Sequence, residues 1–186
     1  MDTAVSYHQS LKTYRSPEEV VSVLQPSYPV FCVRPHKIRA IARQFLEGFP
    51  GEVLYAVKCN PEPHMLKTLF DAGVRHFDTA SLAEVALVAE QLPEATSYFM
   101  HPVKSRAAIR SAHEVYGVRH YVVDHATELN KITEIIAPGP ETVIVVRVAI
   151  HYEGAVYELS SKFGAAVAEA IELGKAALGF GFRYGV

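Results

Sequence analysis

The chain has 186 residues, 49% hydrophobic and 20% charged, a composition that supports one good core. A net charge of −2 gives no reason to expect nucleic acid or an anionic membrane as partner, and no apolar run approaches a membrane span. Cys32 and Cys59 have no CxxC spacing and read as reduced thiols of a cytosolic protein, with no zinc site.

Met1 to Thr13 is polar and lacks the apolar core of a signal peptide. Ser16-Pro17-Glu18-Glu19 has the form of a helix start: a serine cap, proline at the first position and acids in the first turn. That helix ends before Pro26, so residues 1–28 form an N-terminal segment with one short helix. Pro29 to Val33 reads as a strand. Pro35 opens a helix with Ile38, Ile41, Ala42 and Phe45 at helical spacing, stopped by Gly48 and Pro50-Gly51.

From there strands and helices alternate. Strands are predicted near Glu52–Val57, Val74–Phe77, Thr96–Met100, His120–Val123, Thr142–Val148 and Leu178–Phe182. Helical patterns lie between them, at Pro63–Asp71, Leu82–Glu90, Ser105–Tyr116, Ala126–Ile136 and Ala165–Leu173. The spacing of about 20–24 residues is the pace of a β/α unit and argues for parallel strands. A β/α barrel and an open doubly wound sheet both fit. No Gly-x-Gly-x-x-Gly follows the first strand, which counts against a dinucleotide fold, and there is no Walker sequence.

The apolar run Val53 to Val57 ends in Lys58, followed by Asn60-Pro61. A lysine at the end of a buried strand is a candidate for chemistry, because desolvation makes the amine nucleophilic enough to form an imine. The alternative is a lysine that reaches out of the strand end into solvent. Asp78 is predicted at the end of the next strand, where it reaches the same face; it also reads as a helix cap or turn aspartate. Glu84 falls in the first turns of a helix, where acids are favourable in any case. Arg147 interrupts the apolar run Val143 to Val148, and a buried strand arginine needs an anion or a salt-bridge partner. His113, His120, His125 and His151 match no metal or triad spacing and read as surface or loop histidines.

Tyr55-Ala56-Val57-Lys58-Cys59-Asn60, followed by Phe77-Asp78-Thr79-Ala80-Ser81 and Glu84, resembles the pyridoxal-phosphate-dependent ornithine/lysine/arginine decarboxylases of the alanine racemase-like fold. His101-Pro102-Val103-Lys104, the strand-end Val146-Arg147-Val148-Ala149 and Ser160-Ser161-Lys162-Phe163-Gly164 extend the likeness, which covers most of the chain from about Pro29 onward. Read as a strand-to-helix loop, the first of these takes Pro102 as its turn residue. The resemblance implies a partial TIM-type barrel of about five or six of eight strands, since a whole one takes about 250 residues. It implies pyridoxal 5'-phosphate as cofactor, held as a Schiff base on Lys58, with Asp78 beside it, Ala56 as a small residue by the ring, Arg147 near the cofactor and Glu84 behind.

The resemblance also implies decarboxylation of a small-molecule amino acid, ornithine first and lysine second, to a diamine of polyamine biosynthesis. It implies a cytoplasmic homo-oligomer, a dimer, with Lys162 near the subunit interface. One departure is Arg183-Tyr184-Gly185 after Phe182, where the family has a histidine that stacks on the pyridine ring. Residues 29–186 then correspond to the N-terminal part of the cofactor barrel, without the family's C-terminal β-domain or glycine-rich phosphate loop. Weak or absent activity is the expectation for such a piece. A non-catalytic relative acting through self-association or a partner subunit is the alternative, because open strand edges favour association.

Overall fold

The computed structural model describes residues 12–150 and 162–185. His151 and Ser160-Ser161 lie outside the described residues, as do 1–11. The chain divides into two compact units, Met1–Arg34 and Pro35–Val186.

In the first unit, the Ser16 hydroxyl accepts the Glu19 N–H at 3.3 Å and starts helix α1 (Pro17–Leu24). The helix stops at Gln25, whose φ of 44° turns the chain left-handed. The strand predicted over Pro29–Val33 is not formed: the segment is irregular and exposed, and none of its residues joins a ladder. An apolar run becomes a strand only when an edge is available to take its backbone groups.

The second unit opens with α2 (Pro35–Gly48). Its packed stripe is Ile38, Ala42 and Leu46, while Ile41 and Phe45 remain more than half exposed. The strands are β1 (Leu54–Ala56), β2 (His76–Thr79), β3 (Thr96–Phe99), β4 (His120–Val123), β5 (Val143–Val146) and β6 (Arg183–Gly185). Between them run α3 (Pro63–Asp71), α4 (Leu82–Gln91), α5 (Arg106–Glu114), α6 (Ala126–Thr133) and α7 (Val167–Phe180). All strand pairs are parallel, and spatial order follows chain order from β1 to β6. A doubly wound sheet reverses its order at a switch point. Unbroken order is instead that of a (β/α) barrel, so the architecture is α/β with six consecutive barrel strands.

One face of the sheet meets the helices. Phe77, Phe99, Tyr121, Val123, Ile144 and Val146 are buried there. The core forms two clusters, one around Leu66, Leu69 and Phe77, the other around Ile109, Tyr121, Leu129, Ile132 and Ile144. The inner face carries Ala56, Asp78, Tyr98, His120, Val143 and Arg183, which are register partners in one continuous row from β1 to β6.

Several boundaries differ from the sequence reading. The first strand is shorter than Glu52–Val57, and Lys58 lies on a 3-10 turn, Val57–Cys59, closed by the Asn60 N–H on the Val57 carbonyl at 3.1 Å. The second strand starts at His76, not Val74, which puts Asp78 inside it. Leu178–Phe182 is not a strand. Helix α7 runs on to Phe180 and ends at Gly181, whose φ of 98° suits a glycine cap, and β6 follows. Ala170, Leu173 and Ala177 bury one face of α7, so packing extends the helix through residues whose apolarity alone suits either structure.

Ile109→Ala removes a fully buried side chain and is expected to cost about 2–5 kcal/mol, whereas the exposed Ile41→Ala stays within about 0.5 kcal/mol. Urea unfolding of the two variants beside the parent checks the contrast.

Candidate active site at the strand exits

In a parallel barrel sheet all strands leave by one edge, and loops there carry the chemistry. Lys58 stands on the turn just after β1 and is exposed. The desolvation expected of it is therefore not present in this chain. Asp78 is the register partner of Ala56 on the adjacent strand and is half-buried. Burial raises its pKa above the ordinary aspartate range. The charge of Lys58 lowers it, Glu84 raises it and Arg147 lowers it. The charges of three other predicted site residues thus bear on one carboxylate. Ala56 offers only a methyl group next to it.

Glu84 has a local task as well. Ser81 caps α4 by accepting the Glu84 N–H at 3.2 Å, and the Glu84 carboxylate accepts the Ala80 N–H at 2.9 Å. The pair fixes the turn that leaves β2.

Arg147 is not within a strand. It follows β5, is half-buried, and its guanidinium carbon lies 5.4 Å from the centroid of the Phe163 ring. The segment that carries Phe163 is tied down on two sides. Gly164 donates to Asp124 Oδ2 at 3.0 Å, and Ala165 donates to the Arg147 carbonyl at 2.8 Å. Gly164 has a φ of 110°, and a Cβ there would meet the Ala149 nitrogen at 2.7 Å, so only glycine fits this approach.

Two groups escaped the sequence reading. His120 is not a surface or loop histidine: it lies in β4 on the inner face, its ring stacked on Tyr98 at 4.1 Å. Tyr98 in turn meets His76, Oη to Nδ1 3.2 Å, and His76 Nε2 lies 2.8 Å from Glu52. This ladder adjoins Asp78, the register partner of Tyr98. No spacing rule shows it, because its members come from separate strands. The other group is Lys104, which the x-Pro-x-Lys loop hides and which is buried against Glu128.

Parallel strands in chain order, with an amine, two carboxylates and a guanidinium at or near their exits, define a β/α-barrel protein with a charged edge. Residues 35–179 match the family described as pyridoxal-dependent decarboxylase, pyridoxal binding domain, and the chain belongs to that family. It is 36% identical over 126 residues to the lysine/ornithine decarboxylase of Selenomonas ruminantium, covering 67% of this chain and 31% of that protein. The crystal structure of lysine decarboxylase from the same organism superposes with a TM-score of 0.75 at 29% identity, over 92% of this chain and 45% of that one. A structure of SrLDC in complex with PLP and cadaverine gives 0.70 at 30% identity, over 92% and 43%. The chain spans less than half the length of these relatives.

The cofactor of the family is pyridoxal 5'-phosphate. The donor set at the strand exits fits it: an exposed primary amine for an aldehyde, a cation for an anionic group, and the small Ala56 at the end of β1, beside Asp78 in the row.

Because burial raises the Asp78 pKa, folding favours the protonated acid. That contribution is fully present below the ordinary aspartate value and is lost as pH rises through the raised folded value. Asp78→Asn is therefore expected to raise the melting temperature at about pH 7 and to lose that advantage near about pH 3. Melting curves across this range provide the check.

Proposed function

We propose that the chain is the cofactor-holding portion of a decarboxylase that converts a basic amino acid, ornithine or lysine, to a diamine. The observation that carries this is that half-buried Asp78, in β2 beside Ala56, feels the charges of Lys58 on the turn after β1, Glu84 in α4 and Arg147 after β5. In this reading residues 29–186 are the N-terminal part of the cofactor barrel, and 1–28 the segment before it. Cys32 and Cys59 are free and exposed, in keeping with a reducing cytoplasm, and no helix among the described residues is long and apolar enough to cross a membrane.

Each side chain has a part. Lys58 Nζ would hold the cofactor through its aldehyde group, and its exposure leaves it reachable. Asp78 orients that amine from the adjacent strand. Glu84, held by the Ala80 N–H, adds negative charge behind Asp78. Arg147 binds an anionic oxygen of the cofactor or substrate, its plane steadied by Phe163. Ala56 leaves room for the ring. When bound, the cofactor supplies the electron sink that makes loss of carbon dioxide from an amino acid feasible. Arg183 lies on the same inner row as Ala56 and Asp78, and we assign it no stacking role, since a guanidinium repels a protonated ring. The homologous assembly is a homodimer in this reading.

The test is visible absorbance of the purified chain with pyridoxal phosphate, followed by borohydride trapping and peptide mapping. The expected result is label on Lys58 and loss of both band and label in Lys58→Ala. Carbon dioxide release from ornithine and lysine then ranks the substrates. Label scattered over surface lysines, with no band, would overturn catalysis by this chain and favour a role in association.

A further inference from the structure

Lys104 is the one lysine whose side chain is fully shielded from solvent among the described salt bridges, at 0%, and Glu128 opposite it is 5% exposed. The amine has three acceptors: Glu128 Oε1 at 2.9 Å, the His101 carbonyl at 2.9 Å and the Val122 carbonyl at 2.7 Å. Glu128 Oε1 also accepts the Lys104 N–H at 3.1 Å. Its other oxygen pairs with Lys131, whose amine donates to the Lys104 carbonyl at 2.7 Å. Burial pulls the Lys104 pKa down, and the charges of Glu128 and Asp124 oppose this.

A buried ion pair gains little stability over well-packed apolar residues of the same volume. What it supplies, and apolar residues do not, is direction. Here three directed bonds join the exit of β3, the end of β4 and the first turn of α6. The exit of β3 carries His101, whose ring is held through Nδ1 by Val103 and packs edge-on against Phe163 at 5.5 Å. Phe163 is the platform under the Arg147 guanidinium. The contacts run without a gap from Lys104 through His101 and Phe163 to Arg147. We infer that the Lys104–Glu128 pair is a positioning unit that holds Arg147 at the strand exits by fixing the Phe163 platform.

The unit acts on the chain's own geometry, and only its effect on cofactor binding rests on the function proposed above. The test therefore reads Asp78 first, through carbon-13 NMR titration of its carboxyl in the cofactor-free chain. Arg147→Gln removes a nearby cation and is expected to raise the Asp78 midpoint. Lys104→Met alone leaves the buried Glu128 carboxylate with Lys131 as its one charged partner and can unfold the chain, so the decisive variant is Lys104→Met with Glu128→Leu, which removes both charges of the pair at similar volume.

Melting curves establish that the double variant is folded. Its Asp78 midpoint is expected to rise as in Arg147→Gln, with no further rise when the three substitutions are combined. Its affinity for pyridoxal phosphate, by fluorescence titration, is expected to fall about tenfold, the scale of one charge-assisted hydrogen bond. A folded double variant whose Asp78 titrates as in the parent overturns the inference, and so does an Arg147→Gln that leaves the midpoint in place. A parent chain that takes up no pyridoxal phosphate counts against the proposed function, while the Asp78 titration still decides the positioning unit.

Discussion

Parallel strands cannot be joined by tight hairpins; each must be followed by a crossover that returns the chain to the same starting edge. With six such strands in chain order, every exit falls on one side of the sheet. That is why Lys58 and Arg147, far apart in sequence, bear on the same carboxylate. The register does the rest. It sets Ala56, Asp78, Tyr98, His120, Val143 and Arg183 in one row, so a residue's partners are its neighbours on adjacent strands.

The charged groups near the strand exits differ sharply in their exposure. Lys58 is exposed, while Lys104 and Glu128 are buried with their bonding capacity used. A charge in water is screened and mobile; the same charge among carbonyls is fixed in direction. Asp78 falls between these extremes. Half-buried and among charges of both signs, it has its pKa raised by burial and tuned by the surrounding residues.

How much of this the sequence discloses depends on how local each signal is. The places of Lys58 and Asp78 near the ends of β1 and β2 are legible because each ends or follows a short apolar run, whereas the exposure of Lys58 is not. The alternation of strands and helices is legible for the same reason. Boundaries are less so: Val74 is buried and apolar, yet it belongs to the turn before β2, with its N–H on the Leu69 carbonyl. Leu178–Phe182 is apolar enough for a strand, and only packing of α7, which runs to Phe180, decides otherwise. Lys104 is illegible because its burial depends on Glu128, 24 residues away, and His120 because its neighbour Tyr98 reaches it through sheet register. Pairings of this kind exist only once the fold does.

Helix α4 buries Val85 in one apolar cluster and Val88, a turn further on, in the other. Among the described residues no other helix contributes buried side chains to both. Each cluster by itself is a natural cooperative unit, able to open while its neighbour stays closed. A shared helix couples the two: loosening either core releases part of α4 and with it the Ser81–Glu84 turn at the exit of β2. The β2–β3 ladder joins the same two clusters through Phe77 and Phe99, so helix and sheet couple them together.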